Sequence, residues 1–428
     1  MYWEKSIETI DKEALKKYQL DKFNETINNA KKSSFYKEHL KNIVNLKSLD
    51  EIKNIPFTTK QNLRDGFPYG FLTKELKDVV RLHSSSGTTG NPTVIFHTKD
   101  DLDEWSNLIA RCMYMAGVRK EDVFQNIMGY GLFTGGIGFH YGAEKLGVMT
   151  IPIGPGNSKR QIWFMEKFKT SVVHILPSYA LRLYTHIKEM GIDPKKDLNL
   201  KIAFVGAEPH TEETRRKIEE LYGIKVYNSY GLSEMNGPGV AFECPYKNGM
   251  HIWEDNYFVE IIDPKTGEVL PDGEEGELVL TTLKRTAMPI IRYRTRDLTR
   301  IISEPCQCGR THRKIDRIKG RSDDMLIING VNIFPMQIEE TLMKMKEIGH
   351  NYIIEVNKEN FMDKLYIKVE INENTFGGTL VELEKLQKDI TEELKNELGV
   401  NPIIKLVEAG SLPENEGKAI RVFDMRNK

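Results

Sequence analysis

The ten residues HSSSGTTGNP, from His83 to Pro92, place three serines, two threonines and two glycines in one short stretch. Hydroxyl groups donate hydrogen bonds, and glycine lets the main chain come close to a ligand, so such a loop can cradle a phosphate. The flanking stretches DVVRLHS and PTVIFHT predict strands rather than a flexible linker. A Walker A loop is excluded, because GNPT stands where its lysine would be. Two interpretations stay open from these residues alone, a phosphate-binding loop and a plain turn between strands.

A second group of residues has the chemistry of a metal site. Cys306 and Cys308 form CQCGR, a tight turn that projects two thiols, and Cys244 and His251 lie upstream in CPYKNGMH. Three cysteines and one histidine make the closed tetrahedral ligand set of a structural zinc site. The C-x-C spacing is less specific than C-x-x-C, so reduced thiols without a metal are the alternative. The remaining cysteine, Cys112, lies in a helical stretch and is predicted to be a core residue.

Charge and cysteine usage exclude several classes of protein. The 428 residues include 61 Lys and Arg against 62 Asp and Glu, a formal net charge of -1, which argues against nucleic acid as the main partner. No apolar stretch is long enough to span a membrane, and the first residues, MYWEKSIETIDKEALKK, contain no apolar signal-peptide region. Four cysteines in so long a chain do not make a disulfide framework. We therefore expect a cytoplasmic, reduced protein that does not bind membranes.

The candidate loops follow apolar strands in a regular order. From about residue 80 to 230, strand, glycine-containing turn and helix alternate, as in KIAFVGAEP followed by TEETRRKIEELYG. This order predicts a parallel α/β sheet, whose ligands bind beyond the carboxyl ends of the strands. The turns expected at those ends are GYGLFTGG, IGPGNS, VGAEPH and SYGLSEMNG.

The pattern changes after residue 250. FVEIIDPKTGEVLPDGEEGELVLTTL predicts an antiparallel hairpin, and the charged stretch KGRSDDM precedes a tail of alternating strands and helices. We expect an α/β protein whose large N-terminal domain, residues 1–322, combines parallel α/β sheets with a β-rich subdomain. Residues 323–428 are expected to form a small, mobile α+β domain. Its second helix is predicted from apolar residues at helical spacing, Leu383, Leu386, Ile390, Leu394 and Leu398, closed by Gly399.

Several motifs occur in a fixed order: SSSGTTGNP, YGLSE (230–234), YRTRD (293–297), GRSDDMLIINGVNIFPMQIE (320–339) and EGKAIRV (416–422). Together they resemble the adenylate-forming superfamily of acyl-coenzyme A ligases. GYGLFTGG, VGAEP, GPGVAFEC, HIWED and CQCGRTH make the chain similar, within that superfamily, to the phenylacetate–coenzyme A ligases. The resemblance runs nearly end to end and implies two steps. A carboxylate attacks the α-phosphate of ATP, giving an acyl-adenylate and pyrophosphate, and the thiol of coenzyme A then displaces AMP.

The resemblance implies ATP contacts for residues of the large domain. The loop would hold the β- and γ-phosphates through Ser84, Ser85, Ser86, Thr88 and Thr89, with Gly87 and Gly90 as its hinges. The main chain of the segment Gly206, Ala207, Glu208 and Pro209 would line the adenine. The positions that match the α-phosphate and magnesium contacts are Tyr230, Gly231, Ser233 and Glu234, of which Glu234 is the magnesium ligand. Asp297 would accept both ribose hydroxyls, with Arg321 as a second ribose contact.

The resemblance also implies roles for the small domain. Lys418 matches the lysine that bridges the acid and the α-phosphate, where negative charge accumulates during adenylation. Asp323 matches the hinge about which the small domain rotates after adenylation. That rotation would remove the lysine and bring the face with Gly330 and Asn332 toward the thioester site. The resemblance further suggests a homodimer.

The acid pocket is implied at residues Met128, Tyr130, Phe133 and Gly135, although aromatic side chains after a buried strand also serve as core. Met128 stands where many relatives have tyrosine, so arylacetates other than phenylacetate are plausible acids. A second departure is Thr93, which stands where many superfamily members have lysine but is shared with the phenylacetate branch.

The expected small molecules are therefore an aryl acid, ATP, Mg²⁺ and coenzyme A, with zinc as a structural metal. Two other functions stay open. One is a nucleotidyltransferase that stops after adenylation, such as a deazaflavin-adenylylating synthetase. The other is a non-catalytic nucleotide-binding or zinc-stabilised interaction protein, against which Glu234, Asp297 and Lys418 argue.

Overall fold

The computed structural model describes residues 1–85, 91–359, 362–372, 379–413 and 419–426. Some predicted site residues lie outside these ranges, namely Lys418 and, in the serine-rich loop, Ser86, Gly87, Thr88, Thr89 and Gly90. None of the helices within the described ranges has the length and apolar character needed to cross a lipid bilayer.

Helices and strands alternate through the middle of the chain, as predicted. The helices of the described residues are α1 (Lys5–Glu8), α2 (Lys12–Ala30), α3 (Ser34–His39), α4 (Lys60–Asp65), α5 (Lys99–Met115), α6 (Thr134–Leu146), α7 (Ser158–Lys167), α8 (Pro177–Glu189), α9 (Pro194–Asp197), α10 (Glu212–Tyr222), α11 (Pro335–Met343) and α12 (Leu380–Leu398). The strands up to residue 262 are β1 (Arg81–Ser84), β2 (Val94–His97), β3 (Val123–Asn126), β4 (Met149–Ile151), β5 (Val172–Ile175), β6 (Ile202–Gly206), β7 (Lys225–Leu232), β8 (Gly237–Glu243), β9 (Met250–Ile252) and β10 (Tyr257–Ile262). The later strands are β11 (Gly276–Thr282), β12 (Tyr293–Thr299), β13 (Ile301–Ile302), β14 (Lys314–Ile315), β15 (Gly320–Arg321), β16 (Leu326–Ile328), β17 (Val331–Ile333), β18 (Ile348–Glu359), β19 (Met362–Ile371), β20 (Ile403–Val407) and β21 (Val422–Asp424).

The main sheet of the large domain is half parallel and half antiparallel. Among the described residues it has nine strands, in the order β13-β14-β9-β8-β7-β6-β5-β3-β4. The strands from β4 to β7 are parallel, and β8, β9, β14 and β13 extend the sheet in antiparallel pairs. Both β5 and β6 are buried along their whole length, as parallel strands with two covered faces are. The predicted parallel α/β sheet is confirmed.

A second, antiparallel sheet forms the β-rich part of the large domain, in the order β10-β11-β12-β15. Its first pair, β10 and β11, is the hairpin predicted from the Asp/Pro/Gly turn between them. The pairing of β12 with β15 sets Asp297 directly opposite Arg321. The register of this sheet therefore brings together two residues that the resemblance assigns to the ribose.

The small domain has a hydrophobic core of its own, made of residues between Leu326 and Ile404. In its sheet, β18 and β19 are antiparallel, and β20 and β21 add parallel strands at the two edges. Of the five predicted apolar positions, the helix α12 buries Leu386, Ile390, Leu394 and Leu398, and Leu383 is partly buried against the same core. It begins at a capping box between Thr379 and Glu382 and ends at Gly399, whose φ of 72° suits glycine. The α+β character predicted for this part of the chain is confirmed.

Candidate active site

The serine-rich loop leaves strand β1 beside the predicted acid pocket. The main-chain N–H of Ser84 donates to the carbonyl of Leu132 at 3.0 Å, and His83 Nδ1 lies 3.1 Å from the same oxygen. The far side of the loop is tied by Thr93, whose carbonyl accepts from the N–H of Ser85 and whose hydroxyl contacts the Ser85 hydroxyl at 2.5 Å. The ends of the loop are therefore held next to the loop that contains Tyr130 and Phe133.

The predicted adenine segment follows strand β6 in a constrained conformation. A Cβ atom on Gly206 would come within 2.3 Å of the Ser229 carbonyl oxygen, so only glycine fits this approach of β6 to β7. The next residue, Ala207, has a φ of 66°, in the left-handed region that a residue with a Cβ rarely adopts. Such strained backbone is concentrated at functional sites.

Three predicted nucleotide contacts meet at the end of strand β7. The hydroxyl of Tyr230 donates to Asp297 Oδ2 at 2.6 Å, and an Arg321 guanidinium nitrogen lies 3.5 Å from Asp297 Oδ1. Burial raises the pKa of Asp297 to about 6, although the Tyr230 hydrogen bond and the Arg321 charge both act to lower it. The Asp297 carboxylate is therefore a partly desolvated acceptor whose charge changes near neutral pH.

The turn after β7 holds Ser233 and Glu234 through contacts that the sequence did not indicate. The guanidinium of Arg285 donates to the Glu234 carbonyl at 2.6 Å and to Asn236 Oδ1 at 3.0 Å. The Ser233 hydroxyl lies 3.3 Å from the Thr134 hydroxyl at the start of α6. The Glu234 carboxylate, on a residue only 6% exposed, is a hard oxygen ligand of the kind that Mg²⁺ prefers, so it fits the predicted role.

The predicted acid pocket lies between β3 and α6. Tyr130 accepts a hydrogen bond from Asn126 Nδ2 at 3.0 Å and has His140 Nδ1 at 3.4 Å from its oxygen. Burial raises the pKa of Tyr130 to about 12, so its hydroxyl stays protonated. Met128 is buried. A Cβ atom on Gly135 would lie only 2.5 Å from the Phe133 ring, so the glycine leaves room for that ring.

The remaining predicted residues lie where the two domains meet or on the small domain. Asp323 directly follows β15 and forms two hydrogen bonds of 2.9 Å with the Arg321 guanidinium. Gly330 and Asn332 belong to the β16–β17 hairpin, where Gly330 has a φ of 85°. A cavity of about 570 Å³ lies between the domains, and its lining includes Pro209, Arg321, Met336, Tyr352, Ala419 and Arg421.

The predicted metal ligands are gathered at the antiparallel edge of the main sheet. The ligand atoms of Cys244, His251, Cys306 and Cys308 all lie within 4.8 Å of one another. The sulfurs of Cys244 and Cys306 are 3.6 Å apart, and the Cys308 sulfur is 3.2 Å from His251 Nε2. Tetrahedral zinc, with bonds of about 2.3 Å to sulfur and 2.0 Å to nitrogen, requires a sulfur–sulfur separation of about 3.8 Å and a sulfur–nitrogen separation of about 3.5 Å. The four side chains therefore fit a zinc ion.

The contacts around these four side chains also suit a metal. His251 Nδ1 lies 3.1 Å from the carbonyl of His312, which leaves Nε2 to face the three sulfurs. The loop that contains Cys306 and Cys308 also holds the N-terminal residues. Tyr2 donates to the Cys308 carbonyl at 3.1 Å, and buried Arg310 pairs with buried Glu8. A metal here would fix both the sheet edge and the start of the chain.

Comparison with known proteins decides the family. The AMP-binding enzyme model matches residues 12–284, and the AMP-binding enzyme C-terminal domain model matches residues 330–426. The chain belongs to the AMP-binding enzyme family. It is 42% identical to the phenylacetate-coenzyme A ligase of Pseudomonas putida, over 98% of this chain and 96% of the relative. The resemblance stated from the motifs is thus confirmed.

Two crystal structures of one relative differ in how well they superpose on this protein. The 2-hydroxyisobutyryl-CoA ligase in its postadenylation state superposes with a TM-score of 0.94, at 29% identity over 100% of this chain and 93% of the relative. The same ligase in its thioesterification state gives a TM-score of only 0.73 over the same shares, at 30% identity. Because one ligase gives both scores, the difference reflects how its domains are arranged. The domain arrangement of our structure is therefore more similar to that of the relative's postadenylation state than to that of its thioesterification state.

Proposed function

We propose that the protein is an ATP-dependent, AMP-forming ligase that converts an aryl carboxylic acid to its acyl-adenylate and then to its coenzyme A thioester. The observation that carries this proposal is the 42% identity, over nearly both full lengths, with a phenylacetate-coenzyme A ligase. The contact of Asp297 with Tyr230 and Arg321, beside the Glu234 turn, supports it from the structure.

In the first step, a carboxylate oxygen of the acid attacks the α-phosphorus of ATP, and the bond to the pyrophosphate oxygen breaks. Asp297 orients the ribose by accepting its hydroxyls, and Ser233 hydrogen-bonds the α-phosphate. Bound through Glu234, Mg²⁺ would supply charge neutralisation of the phosphate oxygens. The hydroxyls of the serine-rich loop hold the departing pyrophosphate without the permanent charge of a lysine. Lys418 offsets the negative charge that grows on the α-phosphate and the acid.

In the second step, the thiol of coenzyme A attacks the acyl carbon, and AMP leaves. We propose that residues 1–322 and 323–428 rotate about Asp323 between the steps, which withdraws Lys418 and presents the Gly330 and Asn332 face. The small domain's separate hydrophobic core supports this division, because a body with its own core can move as a unit.

We propose an arylacetate, phenylacetate or a close analogue, as the acid. The pocket wall of Tyr130 and Phe133 suits a planar ring, and the Tyr130 hydroxyl offers a fixed polar contact. Met128 adapts its shape more readily than tyrosine and lacks the hydroxyl, so ring substituents are tolerated beside it.

The decisive experiment is a pyrophosphate-release screen over aryl and aliphatic acids, with and without coenzyme A. We expect release with arylacetates and formation of AMP and the acyl thioester only when coenzyme A is present. An AMP-capped product without any requirement for coenzyme A would instead identify an adenylyltransferase. No release with any acid would contradict an enzymatic function.

Binding of the nucleoside is expected to depend on pH through Asp297. The ionised carboxylate accepts the ribose hydroxyls, and its pKa of about 6 means that it becomes protonated as the pH falls through that value. The affinity for adenosine, which has no phosphate to titrate, should therefore decrease by about tenfold from pH 7 to pH 5. Calorimetric titration at several pH values measures it.

The matched variant for this prediction is Asp297→Asn, which keeps the size of the side chain but cannot titrate. We expect it to bind adenosine weakly and with little change across the same pH range. An equally steep decline in this variant would show that another group causes the pH dependence.

We also propose a structural zinc ion held by Cys244, His251, Cys306 and Cys308, supported by the fit of their separations to tetrahedral geometry. A cytoplasmic location and a homodimer complete the proposal. Sedimentation equilibrium of the purified protein tests the dimer, and a monomer at micromolar concentration would contradict it.

A further inference from the structure

Glu208 joins the large domain to the small one. Its Oε1 accepts from the main-chain N–H of Ser178 at 2.7 Å, within the large domain, and its Oε2 accepts from the N–H of Ala419 at 3.2 Å, in the small domain. This carboxylate is therefore a bridge between the domains. Hydrogen bonds to a carboxylate are stronger than those between neutral groups when water is excluded.

The N–H of Ala419 belongs to the peptide unit that links it to Lys418. Two residues further on, the chain is anchored within the small domain, because the N–H of Ile354 donates to the Arg421 carbonyl at 2.7 Å. The Arg421 guanidinium also lies over the Tyr352 ring, 4.2 Å from its centre. Among the hydrogen bonds of the described residues 419–426, the one to Glu208 is the only one that ties this segment directly to the large domain.

A second carboxylate makes the reciprocal contact. Glu339 on α11 of the small domain accepts from the Thr214 hydroxyl at 2.9 Å and from the Thr211 N–H at 3.3 Å, at the start of α10. Its other oxygen accepts from the Tyr352 hydroxyl at 2.7 Å. The positive end of the α10 dipole favours a negative charge at this place. Each domain thus supplies one carboxylate to main-chain N–H groups of the other.

We propose that Glu208 and Glu339 form a carboxylate latch that holds the small domain in the arrangement of this structure, before its rotation for thioester formation, with Glu208 as the positioning residue for the segment that follows Lys418. The inference rests on the proposed function. The latch is specific to one half-reaction, because the relative's thioesterification state superposes on this structure with a much lower TM-score than its postadenylation state does. When the domains rotate, both carboxylates are released to water, so the latch is reversible.

The test measures the two half-reactions separately in Glu208→Ala and Glu339→Gln. Adenylation is followed as pyrophosphate release from ATP and phenylacetate, or whichever acid of the screen the wild type uses. Thioester formation is followed from supplied acyl-adenylate and coenzyme A. We expect Glu208→Ala to lower kcat for adenylation by about tenfold or more, with KM for ATP changed by less than about twofold, and to leave thioester formation at the wild-type rate. Glu339→Gln should show the same split with a smaller loss.

Glu243→Gln is the matched control. Burial raises the pKa of Glu243 as it raises that of Glu208. Glu243 likewise accepts a main-chain N–H, from Asn228 at 2.7 Å, but that contact lies within the large domain. This variant should leave the ratio of the half-reactions unchanged. Equal losses in both half-reactions, or a raised KM for ATP at unchanged kcat, would overturn the latch. If Glu208→Ala fails to fold, Glu339→Gln decides. A failure of the proposed function is distinguishable, because the wild type would then release no pyrophosphate.

Discussion

Replacing Lys418 with alanine should abolish most of the adenylation activity while thioester formation from a supplied acyl-adenylate continues. The lysine is the positive charge proposed to offset the negative charge that accumulates on the α-phosphate and the acid. Loss of one such preorganised contact costs on the order of 3 kcal/mol, which is about a hundredfold or more in rate. Pyrophosphate release in the absence of coenzyme A measures the first half-reaction, and thioester formation from the acyl-adenylate measures the second.

The control for this variant is another lysine of the small domain. Lys388 lies on the surface of α12, where its side chain is 75% exposed and its nearest carboxylate partner is Glu392 at 3.9 Å. Lys388→Ala should leave both half-reactions unchanged, since exposed ion pairs contribute little. Equal losses of both half-reactions in Lys418→Ala would contradict the role proposed for this lysine.

Replacing Cys308 with alanine should remove the metal and destabilise the large domain. The proposed zinc ligands join the sheet edge formed by β9 and β14 to the loop that holds Tyr2, so losing the ion should release contacts across this edge. Structural zinc contributes about 10 kcal/mol or more in small domains. We expect the zinc content to fall from near one ion per chain to near zero, and the midpoint of thermal unfolding to fall by roughly 10 °C. Elemental analysis and a thermal scan measure the two effects, and treatment of the wild type with a strong chelator should reproduce the shift.

Cys112 provides the comparison for this experiment. It is a buried cysteine on α5 whose sulfur contacts Trp253 Nε1 at 3.2 Å, away from the cluster. Cys112→Ala should keep the zinc whatever it does to stability. A wild-type protein without zinc, or a chelator-treated protein with an unchanged melting temperature, would refute the structural metal.

The predictions that the sequence supported best concern features whose residues are neighbours in the chain. A strand, a glycine-containing turn and a helix leave a local pattern, so the parallel half of the main sheet and the positions of the turns after β6 and β7 were predictable. The buried face of α12 was equally predictable, because Leu386, Ile390, Leu394 and Leu398 recur at helical spacing. The four proposed zinc ligands could be named from their residue types, but the sequence could not show that they meet.

The contacts that the sequence did not reveal lie between residues far apart in the chain. Arg285 reaches the Glu234 carbonyl across 51 positions, and Thr134 reaches Ser233 across 99. Arginine and threonine occur in many surface and core settings, so neither residue stood out. The motif VGAEP drew attention to the main chain of Glu208, whereas the structure shows that its side chain bonds to Ala419, 211 positions away.

The sequence by itself determined the family, the order of the α/β elements and the identity of the polar residues available for chemistry, because each is written in local patterns of residue type. Only the tertiary structure decided which of those residues meet. Pairing of β9 with β14 brings His251 to Cys308, pairing of β12 with β15 brings Asp297 to Arg321, and docking of the small domain brings Ala419 to Glu208. The physical reason is that strand pairing and domain docking are chosen by the total burial and hydrogen bonding of the whole chain, which no short stretch encodes.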